Sequence, residues 1–67
     1  MSVLKVIEIL ASSEKSWEDA VQNAVSTASK SLKGIRSVYV QEQSAVVKDN
    51  KVAVFRVNCK ITFEVFD

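Results

Sequence analysis

The 67 residues carry nine basic and eight acidic side chains, a formal charge of +1, and are 48% hydrophobic. Such a balance excludes an extended disordered chain and leaves no electrostatic footprint for nucleic acid or an anionic membrane surface. One cysteine and no histidine exclude a disulfide framework and a structural zinc, so a domain this small is left with self-association as its extra source of stability.

The first predicted element is a strand over residues 3–10, VLKVIEIL, short and rich in β-branched residues. Lys5 and Glu8 interrupt it, so MSVLKVIEIL is neither a signal-peptide core nor a membrane span of about 20 apolar residues. The expected location is the cytoplasm, where Cys59 is a small buried residue rather than a nucleophile. A polar loop, ASSEK, follows.

Residues 17–33 carry the strongest periodic signal. Trp17, Ala20, Val21, Ala24, Val25, Ala28 and Leu32 recur at steps of three and four and form one stripe of an amphipathic helix. Ser16 is placed to cap it, with Asp19 completing a capping box. Glu18 and Asp19 sit at the positive end of the helix dipole, and Lys30 and Lys33 at the negative end. Gly34, the single glycine, is the expected left-handed stop.

The remainder reads as a long hairpin. From residue 52 onward Ala53, Phe55, Val57, Cys59, Ile61, Phe63 and Val65 alternate with Arg56, Asn58, Lys60, Thr62 and Glu64, which is a strand with one buried face. Asp49-Asn50, between Lys48 and Lys51, is the simplest turn because both residues tolerate positive φ. That turn sets a register in which Ser37 faces Thr62, Tyr39 faces Lys60, Gln41 faces Asn58 and Gln43 faces Arg56, all on the side away from the helix. The expected fold class is α+β, a single β-α-β-β domain over residues 1–67. Its helix packs on one face of a three-stranded antiparallel sheet with the last strand in the middle.

Size then argues for partners. A strand from Ile35 to Lys48 spans roughly 46 Å, whereas a compact globule of this length has a diameter of roughly 28 Å. The hairpin must curl or project beyond the helix, leaving Val46, Val47, Val52, Ala53, Val54 and Phe55 to be covered by neighbours.

No chemistry for catalysis is visible. Without histidine there is no ordinary base near neutral pH, and one glycine cannot build a phosphate loop. The functional candidate is the polar sheet face, with Tyr39 as its aromatic centre and Ser37, Gln41, Gln43, Arg56, Asn58 and Lys60 around it. A flat aromatic ring with planar amides suits a heteroaromatic ligand; a wet interface between subunits would use the same residues.

The stretches KVIEI, SWEDAVQNAVSTASKSLKGIR and VAVFRVNCKITFEV resemble the dodecins over essentially the whole chain. That resemblance implies the β-α-β-β fold, a hollow homododecamer with helices outside, and a storage, sequestration or buffering role without enzymatic activity. It also implies that the Ser37–Gln43 face looks into the lumen. Many dodecins stack flavins (riboflavin or FMN) between tryptophans at twofold contacts, with a glutamine holding the flavin edge. Those positions are Ser37 and Arg56 here. The neighbouring acidic position is Tyr39, and the phosphate-facing basic positions are Ser44 and Glu64. The implied function is therefore small-ligand storage without the usual flavin sandwich. The alternative is a flavin site rebuilt around Tyr39. IRSVYVQEQ and Phe55-Arg56-Val57 resemble the calcium-dodecin branch most. In that case symmetry would multiply a carboxylate such as Glu64 or Asp67 into an ion site.

Overall fold

Alternation along the last strand sets the layers of this molecule. The computed structural model describes residues 3–65 in the order β1 (Val3–Ser13), α1 (Trp17–Ala28), β2 (Ile35–Lys48) and β3 (Lys51–Val65). The sheet is antiparallel with the order β1-β3-β2, which puts the most regularly alternating strand in the centre, as expected. Val57, Cys59 and Ile61 of β3 are buried, and Ala20 and Ala24 of α1 pack with Val57 and Cys59. Alanine at these positions lets the helix lie close to the sheet. Ile9, Ala11, Trp17, Val21, Val38 and Val40 close the rim of this cluster.

β1 runs three residues further than the sequence suggests. Ser12 and Ser13 keep pairing with Arg56 and Phe55, and buried Ser13 donates its hydroxyl to the Asp19 carboxylate at 2.6 Å. Ser16 caps α1 by accepting from the Asp19 amide at 3.0 Å. The Asp19 carboxylate thus ties β1 to the helix start.

The helix is shorter than its apolar stripe. It ends at Ala28 rather than residue 33, because the chain tightens there. Lys30 and Ser31 donate to carbonyls three residues back (Thr27 and Ala28), and the Ser29 hydroxyl bonds the Ser26 carbonyl at 2.7 Å. Serine hydroxyls that bond nearby backbone compete with helix continuation in this way. Lys30 and Lys33 consequently fall outside the last turn. Gly34 does take positive φ, 75°, but it turns the chain into β2 instead of capping α1.

Asp49 and Asn50 form the hairpin tip with φ of 52° and 63°, the left-handed pair that a two-residue turn requires. The molecule is a ribbon of 51 × 20 × 13 Å, with a radius of gyration of 13.7 Å. A compact chain of this length has about 11 Å. The hairpin therefore projects rather than curling back. Among the described residues no helix is long and apolar enough to cross a membrane.

Candidate functional site

The register of the hairpin decides which side chains meet on the open face of the sheet. Pairing follows the expected frame for Ser37–Thr62, Val38–Ile61, Tyr39–Lys60 and Val40–Cys59. At Gln41 the ladder shifts by one, so Glu42 lies opposite Asn58, Gln43 opposite Val57 and Ser44 opposite Arg56. A second irregularity between Val46 and Val47 restores the original frame before the tip. An extra residue in one strand reverses the facing that a parity count assigns to everything after it in that strand, whereas the second extra residue, Ala53, lies in β3 and restores the register alone.

This corrects part of the expected constellation. Ser37, Tyr39, Arg56 and Asn58 share the open face as anticipated. Gln41 is the unpaired bulge residue and no longer faces Asn58. Gln43 is turned to the helix side, where it borders a 140 Å³ gap with Trp17, Val21, Val40 and Val57. Strict alternation places Glu42 on the helix side; the bulge instead brings it to the open face beside Asn58. The four consecutive polar residues Gln41-Glu42-Gln43-Ser44 were the available signal. Unbroken alternation would have pressed a carboxylate against the apolar layer, a cost that one extra residue avoids.

The result is a concavity of about 340 Å³ on the open face, lined by Leu10, Ser12, Glu42, Ser44, Arg56 and Asn58. Leu10 and Ser12 come from β1 and are not among the site residues expected from the sequence, where Lys5 and Glu8 interrupt that strand without a clean alternation. The Asn58 Oδ1 atom is buried there without a hydrogen-bond partner. Tyr39, 66% exposed, stands on the neighbouring rung, about 6–7 Å further along the strands. Leu4, Val6 and Leu10 of β1 are also exposed on this face, opposite Glu64, Thr62 and Asn58. The open face is therefore half apolar, not uniformly polar. Trp17 lies on the other side, with its ring edge-on to Phe55 at 4.8 Å and its indole N–H donating to the Ser44 carbonyl at 2.9 Å.

At the far end of the sheet the Arg36 guanidinium reaches the Glu64 carboxylate, its Nε at 2.9 Å. Arg36 is itself an extra residue between the Ile35–Phe63 and Ser37–Thr62 pairs, which frees it to turn toward β3. Among the described residues no three His, Cys, Asp or Glu side chains cluster to hold a metal ion. Burial pushes the Cys59 thiol above its ordinary value, and its Sγ lies 3.6 Å from the Ile9 carbonyl.

A helix covers one side of the three-stranded sheet, and the other side is left as a concave, half-apolar surface. The chain belongs to the dodecin family, whose model matches residues 3–66. It is 38% identical over 64 residues to the calcium dodecin of Mycobacterium tuberculosis, covering 96% of this chain and 90% of that one. The solved structure of the M. tuberculosis calcium dodecin, described as a calcium-chelating immunodominant antigen, superposes with a TM-score of 0.84 at 35% identity. That match covers 97% of this chain and 93% of the other. The dodecin of Streptomyces coelicolor gives 0.93 at 27% identity, over 98% and 94% of the two chains. A Thermus thermophilus dodecin variant gives 0.95 at 25%, over the full length of both.

Proposed function

We propose that the protein is a non-enzymatic, cytoplasmic homododecamer that stores or sequesters a small ligand on the open face of its sheet. The exposed apolar side chains of that face carry this reading. Leu10 is 73% exposed, Tyr39 66%, and Leu4 and Val6 are likewise open in a single copy. Covering one such side chain contributes about 1.5–3 kcal/mol, and a domain of this size has few other reserves. A chain without histidine, whose one cysteine is buried, offers no ready catalytic group and suits a reducing compartment. Ser37, Tyr39, Gln41, Arg56 and Asn58 are the ligand candidates retained from the sequence, joined by Glu42 and Ser44. Gln43 would serve only from the helix side.

Light scattering of purified protein tests the assembly: a particle of about twelve copies is expected, and a stable monomer or dimer overturns it. Riboflavin fluorescence tests the alternative built on Tyr39, which requires strong quenching. A second reading is favoured by the calcium dodecin relative, namely an ion held where one carboxylate repeats around an axis. Glu64 is already engaged by Arg36, and Asp67 lies outside the described residues. Glu42 and Glu8, the latter opposite Lys60, are thus the open-face carboxylates for that role, and calorimetric titration with calcium decides it.

A further inference from the structure

We propose that the hollow left where α1 stops short binds a free anionic amphiphile, a carboxylate carried on a small apolar tail. The site lies on the helix side of the sheet, so it stands independently of any ligand on the open face.

The hollow follows from the early end of the helix. The apolar stripe runs to Leu32, but α1 ends at Ala28 and the chain passes through tightened turns to Gly34. The sheet beneath continues. Ile9–Cys59 and Ile7–Ile61 lie on the helix side, and Lys5–Phe63 and Val3–Val65 follow on that same side. Between sheet and turn is a hollow of about 370 Å³, bordered by Lys5, Ser31, Leu32, Lys33, Phe63 and Val65. None of these residues belongs to α1, and the volume is within the usual range of small-molecule sites.

Floor and mouth differ in chemistry. Leu32, Phe63 and Val65 are half-buried and give apolar walls, whereas Lys5 and Lys33 are exposed. A lysine beside apolar surface lays its methylene stem along the wall and keeps its ammonium in water. Neither ammonium has an ion-pair partner among the described residues, where the salt bridge is that of Arg36 with Glu64. Glu64 also borders the hollow, but its carboxylate is engaged by Arg36. The mouth is therefore cationic. Lys5 is also the odd member of its strand face, which otherwise runs Ile7, Ile9, Ala11 toward the core. A charge among such neighbours is costly alone and compatible with an anion beside it.

Two ammonium groups above an apolar floor select a ligand with a negative head and an apolar body. A neutral amphiphile gains the floor alone, and a bare anion the mouth alone. The Ser31 hydroxyl is a further donor for the head. Exposed ion pairs are weak singly, so the tail supplies most of the affinity and the lysines the choice of head group.

The test is calorimetric titration of the intact, assembled protein with octanoate, octanol, octyltrimethylammonium and acetate. Octanoate should bind about tenfold or more tighter than octanol or acetate, and octyltrimethylammonium should give no binding. Lys5→Gln combined with Lys33→Gln should weaken octanoate about tenfold, to the level of octanol, with circular dichroism and particle size unchanged. Leu32→Ser should weaken octanoate and octanol alike and leave their ratio as it was. Equal affinity for the three octyl compounds, or octanoate binding that survives the double lysine change, overturns the proposal. So does an absence of octanoate binding, whether or not the protein sediments with phosphatidylglycerol vesicles; sedimentation would assign the lysines to a membrane surface instead.

Discussion

The two faces of this sheet are made from the same three strands but are finished by different means. On the helix side, Val57, Cys59 and Ile61 are fully enclosed by elements of the same chain. On the open side, Leu4, Val6, Leu10 and Tyr39 remain in contact with solvent, and a carboxylate, a guanidinium and an amide gather around a hollow. The first face encodes folding of one copy. The second encodes what the folded copy meets. Alternation with period two separates these tasks residue by residue, so a substitution on one face can leave the other intact.

The contrast can be broken most forcefully at Ile61, which is fully buried between Ile7 and Val38. Ile61→Ala should cost about 2–5 kcal/mol, seen as a large fall in the urea midpoint; a change under ~1 kcal/mol would mean the enclosed face is not the core. Trp17→Phe keeps the edge contact with Phe55 but loses the indole bond to Ser44. A loss of about 0.5–1.5 kcal/mol is expected by the same measurement. Cys59 gives a smaller, pH-dependent effect. Its thiol holds its proton more tightly in the folded state than at the ordinary value of 9.0. Its contribution is therefore complete below that pH and is lost as pH rises through the higher folded value. The urea midpoint should decline above pH 9.0 more steeply than in Cys59→Ala. Val6→Lys, on the open face, should change the stability of the single chain by no more than about 0.5 kcal/mol. Circular dichroism should stay unchanged while light scattering reports smaller particles, which would assign that face to contacts between copies.

Much of the fold was legible because local cues agreed. The stripe from Trp17 to Ala28, the Ser16 cap, the Asp49-Asn50 turn and the alternation of β3 each depend on neighbours in sequence, and each is present. The end of α1 was not legible, since the stripe continues to Leu32 while serine hydroxyls and tightened backbone bonds stop the helix at Ala28. At the site, Ser37 and Tyr39 were placed correctly because they lie before the bulge. Gln41, Glu42 and Gln43 were misplaced because a parity count cannot see one extra residue. Leu10 and Ser12 were missed because the facing of β1 is fixed only by its pairing with β3.

The paired irregularities at Gln41 and between Val46 and Val47 have an evolutionary corollary. The first adds Gln41 to β2 and the second adds Ala53 to β3, so the ladder leaves its original frame only between them. A single-codon deletion of Gln41 would set Val40 and Glu42 side by side with their partners Cys59 and Asn58 unchanged, so Glu42 would stay on the open face and Gln43 on the helix side. Lineages built on this scaffold can thus lose that residue without exchanging the two faces of the strand.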